Sequence, residues 1–252
     1  VYTLALVGVP LLALVVQGFE GGLAGLWRVL SAPVAAHALW LTLGTATLMA
    51  LVNAVMGTAT AWVLVRYRFP GRAFLSTLID LPFAVPTLIA GVLVVALLGP
   101  SSGLGAWLAA RGVRVVFAPP GIVLVLLFVT LPFVVRAVEP VLLELDPTEE
   151  EAAWLLGASP LQTFLRVLLP ALAPAVASGT IRSFARALAE FGSVVVVAGN
   201  IPLRTLTAPV FLFGEVEGGR PANAAAVSMV LLALSALLLV VARRIDRLTG
   251  RA

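Results

Sequence analysis

The chain has 252 residues, of which 61% are hydrophobic and only 11% charged, and its mean hydropathy is +1.12. Soluble domains average about 45–50% apolar and about 25% charged residues. So little polar surface cannot solvate a globule, so the solvent must be a bilayer. The absence of cysteine excludes disulfides, thiol catalysis and cysteine-based metal sites, and the single histidine, His37, excludes a His-rich metal cluster. All 16 basic residues are arginine, so no lysine Schiff base can form. A pI near 10.9 would suit nucleic acid, but the arginines are scattered and flank apolar runs, as topology signals do.

Six apolar segments follow in chain order: Val1–Val16, Leu39–Val65, Leu75–Leu98, Gly121–Val135, Ala171–Val197 and Ala222–Ala242. About 20 apolar residues cross a hydrocarbon core as a helix, and in lipid every backbone amide must be satisfied internally. The expected fold is therefore all-α: a polytopic transmembrane bundle of about six spans, read as one domain over residues 1–252. Because the chain starts at Val1 without a methionine, the true N-terminus is expected upstream, with Val1–Val16 as a first, truncated span. Gly121–Val135 is short and carries Pro132. In the third span, Asp80-Leu81-Pro82 and Pro86 mark a gate or a kink.

Arginine sets the orientation. Arg66, Arg68 and Arg72 follow the second span, and Arg243, Arg244, Arg247 and Arg251 follow the last. Placing both groups in the cytoplasm satisfies the positive-inside rule and puts both termini there too. Nine arginines then lie near inner edges and five near outer ones, while Arg182 and Arg186 lie inside a span. Loops 17–38, 99–120 and 198–221 face outward, and loop 136–170 faces inward.

The inner loop carries its own folding signals. Thr148 and Glu151 have capping-box spacing, Pro147 blocks backward extension, and Glu149 and Glu150 suit the positive end of the helix dipole. Gly157 supplies a left-handed residue to close that helix. Ser159-Pro160-Leu161-Gln162 then opens a second helix with another capping box, reaching about Leu169, and Pro170 marks the start of the fifth span. The loop thus reads as a hairpin of two short helices over about 147–169. Ala152 and Ala153 permit close approach by a partner. Trp154, Leu155 and Leu156 either dock a soluble partner or pack on the protein's own helices and the lipid interface. A DNA-binding helix-turn-helix is disfavoured, because the acidic first helix would repel phosphate.

Within EEEAAWLLGASPLQTFLRVLLP, the spacing of Glu151-Ala152-Ala153, Gly157 and Val167-x-Leu169-Pro170 resembles the signature of ABC-importer permeases. The segments RYRFPGRAFLSTLIDLPFAVPTLIAG, PFVVRAVEPVLLELDPTEEEAAWLLGAS and SFARALAEFGSVVVVAGNIPLRT extend the resemblance over nearly the whole chain. They look like the sulfate/thiosulfate permeases and their close relatives, the molybdate/tungstate permeases; DLPFAVPT and AGNI favour the sulfate type. The resemblance implies a type I importer permease (MetI-like) fold. It also implies a coupling helix that docks a cytoplasmic ABC ATPase dimer, with Glu151, Ala152, Ala153, Gly157 and Pro170 at or beside the contact. Further implied partners are a second permease subunit, related or identical, and an extracytoplasmic substrate-binding protein, in a prokaryotic plasma (inner) membrane. The chain itself has no G-x-x-x-x-G-K-[ST] loop. No cofactor is expected on it, and ATP and magnesium would bind the partner ATPase; the expected role is transport, not catalysis.

Arg182, Arg186 and Glu190 are spaced i, i+4, i+8 on the expected fifth span and would share one face. They are candidates for the translocation path or gate. In the competing reading they form an internal ion-pair set, with Arg186 and Glu190 neutralising each other and Arg182 finding another helix or remaining as spare positive charge. Asn53, Thr58, Thr60, Gly44 and Gly57 suit helix packing better than substrate contact. Asn200-Ile201-Pro202 reads as an outer turn, and His37 as an interfacial residue without a role. Three rivals from other classes remain. An ion-gradient carrier would show paired broken helices with inverted symmetry, a membrane enzyme would need a convergent polar constellation, and an assembly factor would leave uptake unchanged on deletion.

Overall fold

The computed structural model describes residues 2–248, and among them the secondary structure is helical, without a strand. Val1 of the first expected span and Arg251 of the last arginine group lie outside the described residues. Four helices are long and apolar enough to cross a membrane, or up to six segments if each of two sharply bent helix pairs counts as one span.

The first bent pair is α1 (Tyr2–Gly18) and α2 (Gly22–Ser31), which meet at 85°. The expected outer loop 17–38 is therefore largely helical. Val29 and Leu30 of α2 pack on Ala35 and Val227, while Trp27 on the opposite side is exposed; such two-faced character suits a helix lying across the end of a bundle.

The second span, α3 (Pro33–Arg66), starts six residues before Leu39. Ala38, Thr42, Thr45, Met49, Asn53, Gly57, Ala61 and Leu64 are buried along it at helical spacing. The expected third span is two helices, α4 (Arg72–Ala84) and α5 (Thr87–Leu98), bent by 115°. Pro86 has no N–H for the helical ladder and holds Val85 extended, at φ −94° and ψ 133°. A short helix, α6 (Gly103–Ala109), occupies part of the expected loop 99–120.

The segment expected to be shortest is α7 (Pro119–Glu144), the most enclosed of the four long helices. Its length was hidden by Arg136 and Glu139, which look like a loop edge. Instead Arg136 donates to Asp80 Oδ1 at 2.8 Å and Ser76 Oγ at 2.9 Å on α4, and also pairs with Glu139. These partners let the helix carry its charges past the expected boundary at Val135.

Next come α8 (Pro147–Leu155), α9 (Pro160–Thr163), a π turn (Phe164–Leu168) and α10 (Leu169–Leu188). The last three form one 29-residue helix, Pro160–Leu188. Pro170 therefore lies inside a continuous helix rather than at a junction. Its missing N–H would have bonded the Arg166 carbonyl. The adjoining π turn, in which Leu169 N–H donates to the Phe164 carbonyl, accommodates that gap without breaking the helix.

The expected fifth span does not continue to Val197. It ends at Leu188, and a separate α11 (Gly192–Val197) follows, then α12 (Ala208–Glu217) within the expected loop 198–221, and the final α13 (Pro221–Leu248). The two helix breaks pack together: a Cβ on Gly91 of α5 would lie 2.5 Å from the Ser193 carbonyl oxygen of α11, so only glycine permits this approach.

The core runs along α7, with α3 and α10 against it. Val125, Val129, Val134, Val138 and Leu142 are buried there. Gly57 and Gly179 let both neighbours close in: a Cβ on Gly179 would meet Ala137 Cβ at 2.8 Å and Val134 Cα at 3.0 Å. We expect Gly179→Val to destabilise the bundle by about 1–3 kcal/mol, read as a lowered melting temperature of the purified protein; an unchanged melt would contradict this packing. Asn53 also serves packing, donating to Thr130 Oγ1 at 2.9 Å on α7. Gly44 does not: its Cβ position is open, beside a groove lined by Trp40, Leu48, Pro119 and Leu124. Thr58 and Thr60 bond carbonyls of their own helix, Ala54 and Met56.

Candidate functional site: a stapled hairpin and a paired charge set

The hairpin between α7 and α10 is built by strong local rules. Its N-cap is Asp146, not Thr148: the Asp146 carboxylate accepts from Thr148 N–H at 2.9 Å, and Pro147 takes the first helical position. The expected Thr148–Glu151 box does not form because the cap lies two residues earlier. Hydrogen bonds from the Thr148 backbone N–H and side chain hold the Asp146 carboxyl below the usual carboxylate range. A depressed folded-state pKa means that this contribution is complete at neutral pH. It is lost only as pH falls below about 4, through the lowered value.

The far end of α8 is a Schellman closure. Gly157, at φ +84°, donates to the Trp154 carbonyl at 2.9 Å, and Ala158 N–H donates to the Ala153 carbonyl at 3.0 Å. The second capping box is present as expected: Ser159 N–H donates to Gln162 Oε1 at 2.8 Å, and Gln162 N–H donates to Ser159 Oγ at 3.3 Å. Both turns are thus closed by hydrogen bonds, leaving little freedom at the tip.

Tertiary contacts tie this hairpin to the bundle. Arg66, the last residue of α3, donates from Nε to Glu150 Oε1 at 2.6 Å and from Nη2 to the Leu145 carbonyl at 3.2 Å. One guanidinium therefore staples the end of α3 to the end of α7 and the start of α8. Glu150 is 6% exposed and is the one buried residue of α8. Phe164 packs against Trp62 with ring centroids 5.3 Å apart and planes tilted by 49°, and Leu168 enters the core beside Leu64, Leu142 and Leu172. Sequence reasoning misses this staple: in the sequence Arg66 reads only as a topology charge and Glu150 only as a dipole charge.

The outward side is open. Glu151, Ala152 and Gly157 are exposed and Ala153 is partly so. Leu155 and Leu156 are each 89% exposed, and Trp154 stands half out of the surface. Own-helix packing therefore does not account for these apolar residues. Beside them a cleft of about 360 Å³ runs between α3 and α8, lined by Arg66, Tyr67, Arg68, Glu150, Glu151 and Trp154.

The candidate path residues lie on α10 and just past its end. Arg186 Nη1 meets Glu190 Oε2 at 2.6 Å, and Glu190 Oε1 accepts from Ser193 N–H at 3.0 Å and Ser193 Oγ at 2.9 Å. Glu190 lies past the end of α10, so the three charges do not share one uninterrupted helical face. Its side chain is 1% exposed, while that of Arg186 is one-third exposed. Arg182 is not spare charge, because it pairs with Asp246 on α13. Their ion-pair chemistry was legible from i, i+4 spacing for Arg186–Glu190; the Arg182–Asp246 pair spans 64 residues and was not.

The sequence profile for "binding-protein-dependent transport system inner membrane component" matches residues 53–251. This chain belongs to that family. Its members' role makes the chain a membrane transport component of an ABC system and not an enzyme. Among curated relatives, the "probable sulfate transport system permease protein cysT" of Nephroselmis olivacea is 43% identical over 238 residues, covering 94% of this chain and 84% of that protein. The "sulfate transport system permease protein CysT" of Escherichia coli K12 is 43% identical over 230 residues, 91% of this chain and 83% of that one. Among solved structures, a bacterial alginate ABC transporter in complex with its pentasaccharide-bound periplasmic protein aligns at TM-score 0.78 and 19% identity, covering 98% of this chain and 91% of that one. The inward-facing MetNI methionine ABC transporter aligns at TM-score 0.62 and 20% identity, covering 86% and 96%. The expected ABC-importer permease fold is borne out by these likenesses.

Proposed function

We propose that this family member forms part of the translocation path of an ATP-driven importer for sulfate or thiosulfate. The relatives' names support the substrate class. The observation that carries the coupling reading is the hairpin, whose backbone is locked at both turns while Leu155 and Leu156 project into solvent. Apolar side chains held rigidly off a bundle are the surface a soluble partner needs.

In this reading the hairpin and both termini lie in the cytoplasm. A dimer of ABC ATPases grips Glu151, Ala152, Ala153 and Gly157, and a second permease subunit completes the pore. An extracytoplasmic binding protein delivers the anion. ATP and magnesium bind the ATPases, and this chain binds no cofactor. Closure of the ATPases pushes on α8. The Arg66–Glu150 staple passes that push to α3, and the unbroken helix through Pro170 passes it to α10. The helix breaks at Val85–Pro86 and Ala189–Phe191 are where the bundle flexes. At the second of these breaks Arg186 and Glu190 form a gate pair, with the Arg182–Asp246 pair one turn earlier on α10. The pore binds its anion weakly, because it must release it.

The test is reconstitution with the partner subunits in vesicles, with ATP and labelled sulfate, competed by molybdate. ATP-dependent sulfate uptake is expected, and uptake of molybdate alone, or uptake without ATPase, would overturn the reading. Leu155→Asp with Leu156→Asp is expected to reduce ATPase co-purification at least about tenfold, because charge replaces two desolvated apolar anchors. Normal co-purification would remove the hairpin as the docking site.

A further inference from the structure

At the end of α7 opposite the hairpin, two loops frame a cavity of about 400 Å³. Segment 113–117 lines it with Ile201 and Arg204, as do Leu98 at the end of α5 and Gly105 and Ala109 of α6. Arg114 and Arg204 both line it. Neither guanidinium has a hydrogen-bond or ion-pair partner among the described residues. Their neighbour Arg111 differs, since it lies 3.7 Å over the Trp107 ring and donates to the Trp107 carbonyl. Glu215 of α12, which follows the second loop, is already held by Arg220 and Asn223.

The backbone around this cavity is unusual in a second, independent way. Phe117, Asn200 and Leu203 have φ of +60°, +56° and +59°, and they are the non-glycine residues with positive φ among those described. All three lie in the two loops that frame the cavity. Left-handed backbone costs free energy at a bulky residue and persists only where the surroundings fix it. Here the surroundings do so. Phe117 N–H donates to the Val197 carbonyl at 2.8 Å, Asn200 Nδ2 donates to the Val195 carbonyl at 3.1 Å, and the Ile201 carbonyl accepts from Arg204, Thr205 and Leu206. Strained, well-fixed loops thus hold two unneutralised guanidinium groups around one concavity.

We propose that this cavity is a low-affinity binding site for a tetrahedral oxyanion dianion, held by Arg114 and Arg204. The inference rests on the importer reading for its biological ligand. Two permanently charged guanidinium groups on one cavity balance a dianion in charge, and each fork can offer paired N–H donors to its oxygens. Fixed loops spare the ordering cost that binding would otherwise carry. Arg114 and Arg204 are both exposed, so water competes for them and keeps affinity low, as a site that passes its ligand onward requires.

The experiment uses the whole transporter in nanodiscs, without the binding protein, and measures equilibrium binding of labelled sulfate. Saturable sulfate binding, competed by molybdate and little affected by equal chloride, is expected in the wild type. Arg114→Gln with Arg204→Gln should weaken it about tenfold or more, with Arg204→Lys intermediate. Unchanged binding in the double variant would overturn the proposal. So would normal binding combined with a raised binding-protein concentration for half-maximal uptake, which would make the patch a protein-docking surface. Wild-type uptake in vesicles reads the importer assignment separately: sulfate uptake with no change in binding across the variants removes only the site. Intact binding without any sulfate uptake removes only the substrate reading.

Discussion

Glu150→Ala is expected to cut transport far more than it cuts ATP hydrolysis or the stability of the bundle. Removing the carboxylate leaves Arg66 partly buried without its charge partner, and breaking a buried pair on one side costs about 3–5 kcal/mol. At 1.4 kcal/mol per decade, the lower figure corresponds to roughly a hundredfold shift towards a detached α8. The bundle survives because Leu168, Leu172 and the Trp62–Phe164 contact still hold the following helix. Arg66→Ala should act in the same direction, and also frees the Leu145 carbonyl. The charge swap Arg66→Glu with Glu150→Arg should recover part of the coupling, since attraction is restored although the Leu145 bond is not. Uptake and ATPase rates measured side by side in vesicles decide this. Single variants whose uptake per ATP equals that of the wild type would show that the staple transmits nothing.

The second large effect is expected at Glu190→Ala. Its carboxylate, 1% exposed, balances Arg186 and accepts two hydrogen bonds from Ser193. Its loss strands the one-third-exposed Arg186 and leaves two buried Ser193 donors unmet beside the junction of α10 and α11, at about 1–3 kcal/mol for an unmet donor. A melting temperature well below wild type, with poor recovery from the membrane, is the expected result. Replacing both partners, Arg186→Met with Glu190→Met, should restore much of the melt, because an apolar pair removes the stranded charge. That folded double variant then tests the gate: altered sulfate uptake with a normal melt fits a pair on the path, and wild-type uptake assigns it to architecture alone.

Local chemistry was legible wherever a short segment contains its own answer. Ser159 with Gln162, Gly157 and Pro147 each act through neighbours within a few residues, and each behaves as the spacing implies, with Asp146 displacing Thr148 as the cap. Span boundaries were less legible because charged residues are poor markers once they are paired. Arg136 and Glu139 looked like a loop until Asp80, 56 residues away, was brought alongside. Proline misled in both directions: Pro86 breaks a span that composition joins, while Pro170 sits inside a helix that composition divides.

The sequence by itself determined the solvent, the helical class, the position of the hairpin and the family signature on it. Each of these rests on residue chemistry or on contacts a few positions apart. Only the tertiary structure decided which charges pair, where the fifth span stops, and that the hairpin is stapled through Arg66. The physical reason is range. Hydropathy and capping act along the chain, whereas an ion pair inside a bundle is fixed by which helices lie side by side, and nothing in the spacing of Arg66 and Glu150 encodes that.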